Sequence, residues 1–150
     1  MSDEHTQRMN VVRIARTWIG TPYLSNAMVR GAGADCATLL VGVYREAGMI
    51  PPDFDPRPYP TQWHLHQSDE QYMKIVMGFA RMIEPPPLPG DVVLFKLGRV
   101  FAHGGIVSEW PNIIHARAPG RVWEEDASRD SFGKHALWRL EQRFFSYWPG

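Results

Sequence analysis

A single cysteine, Cys36, stands in 150 residues. That excludes an internal disulfide and a thiolate-rich zinc centre. Neither sign of charge is in excess, because sixteen Lys+Arg are matched by sixteen Asp+Glu. A polyelectrolyte role on nucleic acid needs surplus positive charge, so no nucleic-acid partner is expected. A neutral chain also lacks the repulsion that keeps small proteins apart, which favours a partner or an assembly. No stretch approaches the ~18 apolar residues of a membrane span, so no membrane insertion is expected. The opening Met1-Ser2-Asp3-Glu4-His5 has no apolar segment of the secretory kind, and the expected product is made in the cytoplasm without a signal peptide. There is no phosphate-cradling loop, since Gly31-Ala32-Gly33-Ala34-Asp35 is followed by no Lys-Ser/Thr pair. Ser131 has no nucleophile-elbow context.

Hydrophobic residues make up 44% of the chain, enough for one core, and 150 residues suit one domain spanning 1-150. Two proline-rich stretches, from Pro51 to Pro60 and from Pro85 to Gly90, read as ordered connections inside that domain. Val11, Ile14, Ala15 and Trp18 recur at helical spacing, with Gly20 and Pro22 as stops. A second helix is expected from about Cys36 to Ala47, with Leu40, Val43 and Ala47 inward and Gly48 as its stop. A third begins at Ser68, where Ser68 and Gln71 fit a capping box. Its apolar stripe takes in Tyr72, Ile75, Val76, Phe79 and Ile83. After Pro89 the period shortens to that of strands: Asp91–Leu97, Val100–Ser108, Asn112–Ala116, Arg121–Glu124 and Ala136–Phe145. Helices followed by an antiparallel sheet of about five strands is an α+β layout, with a helix packed on one face of the sheet.

Cys36 follows a glycine-containing loop and opens a predicted helix. The unpaired N–H groups of a helix start stabilise a thiolate, which predicts a lowered thiol pKa. A lone cysteine is more often a small buried hydrophobe, and the glycines and the helix start are what favour a nucleophile. Of six histidines, His103 is best placed as its base, in a strand where Gly104 and Gly105 allow close approach. A histidine on the polar face of a strand is an equal reading of that residue alone. His115 lies on the next strand, and antiparallel neighbours can set two such side chains together. His64 and His66 flank Leu65 without a carboxylate or cysteine to complete a ligand set, so no metal is expected. His135 reads as solvated. Trp18 and Trp138 fit core positions, while Trp63, Trp110 and Trp123 are candidates to line a groove.

Five segments occur in one order: Trp18-Ile19-Gly20-Thr21-Pro22-Tyr23, Gly33-Ala34-Asp35-Cys36, Leu88 to Phe95, His103-Gly104-Gly105-Ile106-Val107, and Ile113-Ile114-His115-Ala116. Together they resemble the NlpC-type cell-wall cysteine peptidases, a papain-like superfamily. The short form is most similar to the branch carried by tailed bacteriophages and gene-transfer agents at the tail tip. The resemblance implies Cys36 as nucleophile, His103 as base and His115 as the polar third member. It implies that Tyr23 helps stabilise the oxyanion, and that Asp35 contacts the substrate peptide or caps the helix. It implies a peptidoglycan stem or cross-bridge as substrate, no cofactor, and tail-tip proteins as partners in a virion that acts at the cell wall. The chain departs from the family's usual pattern at Ala37-Thr38, where Ser-Gly is common, and at Gly104, where valine is common. A structural tail component without hydrolase activity, and an amidase or acyltransferase on the same fold, are the alternative readings.

Overall fold

The structure is a computed structural model that describes residues 3–58, 71–117, 120–129 and 137–149. Helix α1 (Glu4–Thr17) starts at Asp3, whose carboxylate accepts the Thr6 N–H, and ends at Trp18. Its inward stripe is Val11, Ile14, Ala15 and Trp18, all buried as their spacing predicts. Gly20 then turns the chain at a positive φ of 94°. A two-stranded ribbon follows, β1 (Met28–Val29) against β2 (Gly33–Ala34), turning through Gly31 at φ 83°. Helix α2 (Cys36–Glu46) comes immediately after it, with Leu40 and Val43 buried and Gly48 past its end at φ 74°.

Helix α3 (Gln71–Met77) buries Tyr72 and Val76. The Ser68 capping position, like Trp63, His64, His66, Ser131 and His135, lies outside the described residues. The expected helical stripe to Ile83 is not formed, because the chain turns after α3 and Ile83 belongs to a strand, β3 (Arg81–Ile83). The remaining strands are β4 (Val92–Leu97), β5 (Val100–Glu109), β6 (Asn112–Ala116), β7 (Val122–Asp126) and β8 (Gln142–Ser146). The last is shorter than the expected Ala136–Phe145, because Leu137–Arg139 forms a 3-10 turn ahead of it. The order β3-β8-β4-β5-β6-β7 makes one six-stranded antiparallel sheet, one strand more than expected.

Both faces of the sheet are covered. On one, α1, α2 and α3 pack on Val92, Leu94, Ile106, Ile114 and Ala116. On the other, Val93, Phe95, Val107, Ile113 and Phe144 gather with Leu137 and Trp110. Arg8 of α1 ties the layers together: its Nη1 donates to Asp91 Oδ1 at 2.8 Å and to Pro89 O at 2.9 Å, and its guanidinium lies 4.2 Å from the Trp148 ring centre. Among the described residues no helix is long and apolar enough to cross a membrane, and no group of three His, Cys, Asp or Glu could hold a metal ion.

Candidate active site

The chain reaches Cys36 through backbone pairing. Ala34 N–H donates to Pro22 O and Leu24 N–H to Ala34 O, so Tyr23 runs beside Ala34 just before the helix start. Asp35 is the N-cap. Its Oδ1 accepts the Ala37 and Thr38 N–H groups at 3.0 and 2.9 Å, and its Oδ2 accepts the Asn26 N–H at 2.6 Å. The Thr38 hydroxyl accepts the Asp35 N–H at 2.8 Å, completing a capping box. Of the two roles implied for Asp35, capping is therefore the one this structure fills. Thr38 provides the reciprocal half of that cap.

Cys36 is buried, 4% exposed. Its Sγ lies 3.8 Å from Ala102 O and near the Gly104 N–H, the peptide groups on either side of His103. Among the described residues no hydrogen bond joins this sulfur to an imidazole. Burial, and then the negative charge of Asp35, push the thiol up to about 12, against the pull of the Tyr72 hydroxyl and of nearby N–H groups. The expected lowering by the helix start is overturned, because desolvation of a sulfur packed on the sheet outweighs the partial charge of the helix end.

Two glycines make this approach possible. A Cβ on Gly104 would lie 2.6 Å from Leu94 Cδ2 and 2.7 Å from the Tyr72 hydroxyl. That hydroxyl donates to Cys36 O at 2.8 Å. Tyr72 thus fills the space beside Gly104. A Cβ on Gly105 would lie 3.1 Å from His115 Cβ, so the second glycine makes room for the second imidazole.

His103 stands opposite Phe95 in the β4–β5 register, with ring centres 6.0 Å apart. His103 and His115 meet on the face of the sheet that also carries Phe95 and Ile113. His103 Nε2 lies 2.7 Å from His115 Nδ1, and the rings are nearly perpendicular at 70°. His115 is completely buried and its Nε2 lies 2.9 Å from Glu125 Oε1. Arg117 Nη1 approaches the same oxygen at 3.8 Å. Burial, followed by the electrostatic interaction with His115 and the charge of Arg117, holds His103 well below the ordinary imidazole range. It is thus a neutral base at pH 7. Burial, with Cys36 and Asp35 nearby, pushes the Tyr23 phenol up, so it keeps its proton as a donor.

The structure therefore brings His103 and His115 into contact, sets Tyr23 and Asp35 beside Cys36, and lays the sulfur on the main chain that carries His103. Sequence reasoning missed Tyr72, which reads as one more apolar stripe residue, and Glu125, which lies one residue beyond the expected end of its strand. Trp123 stands opposite His115 in the β6–β7 register and is 48% exposed, at the rim of the histidine pair. Trp110 instead packs edge-on against Phe144 at 5.1 Å. Trp138, expected in the core, is 50% exposed, because the 3-10 turn carries it outward.

No family model and no curated protein sequence matches the chain. Solved structures do. NlpC1 from Trichomonas vaginalis superposes with a TM-score of 0.65 at 18% identity, over 100% of this chain and 47% of that one. The NlpC/p60 domain of the peptidoglycan hydrolase SagA gives 0.62 at 17% identity, covering 91% of this chain and 96% of that domain. The peptidoglycan hydrolase RipB from Mycobacterium tuberculosis gives 0.60 at 16% identity, over 97% and 67%. The chain spans about half the length of the Trichomonas protein and nearly all of the SagA domain. The α+β arrangement is that of the NlpC/p60 structures.

Proposed function

We propose that this protein is a cysteine peptidase that hydrolyses peptide bonds in the stem or cross-bridge of peptidoglycan. The observation that carries this reading is the 2.7 Å His103–His115 pair, rooted in the strand against which the chain's one thiol packs. Two of the similar structures being peptidoglycan hydrolases supports the substrate class.

The raised thiol and the neutral His103 favour general-base attack over a standing thiolate–imidazolium pair. His103 faces the side of the sheet opposite helix α2, so the proposed attack requires its ring to reach the thiol, where it takes the proton as Sγ bonds to the substrate carbonyl carbon. The Tyr23 hydroxyl and the Cys36 N–H stabilise the oxyanion. The intermediate collapses to a thioester, the C–N bond breaks, and His103 gives its proton to the leaving amine. Water then adds with His103 again as base, and the acid product and free thiol are restored. His115 fixes the His103 tautomer.

The proposed setting is a tail-tip assembly of a phage or gene-transfer agent, in which the enzyme thins the wall during genome delivery beside other tail proteins. This rests on the likeness of the Thr21-Pro22-Tyr23 segment and of the arginine- and glycine-containing loop before Cys36 to that branch. A structural tail component is the second reading, and the buried sulfur, which bonds no imidazole among the described residues, favours it. Mass spectrometry of sacculi digested by the wild type and by Cys36→Ala separates the readings. Muropeptides cut within the peptide, by the wild type alone, support the peptidase. Products cut between sugar and peptide indicate an amidase, and an undigested wall indicates the structural role.

A further inference from the structure

We infer that Glu125 is a positioning residue that sets the direction of the proton chain through His115 and His103, an assignment that rests on the hydrolase reading for its consequence in rate. A neutral imidazole carries one N–H, and a carboxylate oxygen only accepts. Glu125 Oε1 at 2.9 Å therefore requires the His115 proton to sit on Nε2. His115 Nδ1 is then a lone pair, and at 2.7 Å it takes a proton from His103 Nε2. His103 Nδ1 is left unprotonated, the form in which this ring can act as a base. Without the carboxylate the opposite chain is equally open to the pair: His115 Nδ1–H donates to His103 Nε2, and His103 Nδ1 holds the proton. That form is no base. The carboxylate is held in place for this task, with a side chain only 10% exposed and Arg117 on its flank.

The arrangement works because β7 lies beside β6 in a register that pairs Ile113 with Glu125. His115 and Ile113 share a face of β6, so Glu125 meets His115 diagonally across the two strands. Asp35, the other carboxylate near the site, is occupied as the helix cap and cannot replace it.

The test is the imidazole tautomer state of the full chain, read at neutral pH from long-range proton–nitrogen spectra of the histidine-labelled protein. The wild type is expected to show both His103 and His115 protonated on Nε2. In Glu125→Leu, His103 is expected to lose the single-tautomer pattern, and kcat on sacculi to fall about 100-fold with KM unchanged. Glu125→Gln, which keeps an acceptor oxygen, should retain the Nε2–H pattern and most of the kcat. A His103 protonated on Nδ1 in the wild type overturns the inference without recourse to any variant. So does a Glu125→Leu protein whose tautomers match the wild type. If the wild type does not cut sacculi, the hydrolase reading fails, while the spectra still decide the role of Glu125.

Discussion

Gly104→Ala places a methyl group where the structure has none to spare. The new Cβ would stand 2.6 Å from Leu94 Cδ2, 2.7 Å from the Tyr72 hydroxyl and 3.1 Å from Tyr72 Cζ. Both neighbours are completely buried, so neither can swing into solvent. Overpacking of this kind costs about 1–3 kcal/mol. Tyr72→Phe removes the hydroxyl that bonds Cys36 O at 2.8 Å, for about 1 kcal/mol. The two costs are not independent, because losing the hydroxyl also removes one of the two closest contacts of the new methyl. The double variant should therefore be less destabilised than the sum of the singles, by about 1 kcal/mol. The Leu94 contact remains, which keeps the relief partial. Denaturant unfolding of all four proteins measures this cycle. Costs that add to within about 0.3 kcal/mol would refute the claim that Gly104 exists to admit Tyr72.

Four further outcomes follow from the structure. His103 stays neutral in the fold while the unfolded imidazole takes a proton near pH 6.5. Stability should accordingly fall below that pH by up to about 1.4 kcal/mol per unit, and His103→Gln should flatten this limb of a denaturation-midpoint series. Cys36 stays protonated up to about 12 whereas an unfolded thiol ionises near 8.5, so stability should also fall as pH rises between those values, a limb absent in Cys36→Ala. A thiol held that high is only ~10⁻⁵ ionised at pH 7, so iodoacetamide should label the folded chain at least about 100-fold more slowly than the urea-unfolded chain. Rapid labelling at neutral pH would contradict the neutral-thiol account. Asp91→Ala removes the buried one of the two carboxylates 2.8 Å from Arg8, leaving Glu4, and should cost about 1.5–3 kcal/mol of unfolding free energy.

What the sequence makes legible is local. The spacing of Val11, Ile14, Ala15 and Trp18 marks a helix and its inward face. The Asp35-Cys36 step marks the start of another, because a capping carboxylate and the following apolar period are both written along the chain. The strands on either side of Gly98-Arg99 and Trp110-Pro111 are legible for the same reason. Ile83 misleads because it continues a helical stripe four residues beyond Phe79, and only the turn after α3 shows that it pairs with Phe144 instead. Glu125 is invisible without register, since its partner His115 lies ten positions back on another strand and meets it diagonally. The thiol misleads for a different reason. A helix end lowers a thiol pKa when the sulfur stays solvated, and burial is set by the sheet, helix α3 and Tyr72, none of which is near Cys36 in sequence.

The central claim is that Cys36 carries the acyl group of a cut peptide. The direct measurement is the intact mass of the protein after acid quenching, within one turnover, of a reaction with a peptidoglycan stem peptide. The account predicts an adduct equal to the acyl half of the substrate, on the fragment containing Cys36, present in the wild type and absent in Cys36→Ala. Cleaved substrate without such an adduct, or cleavage that persists in Cys36→Ala, would contradict it.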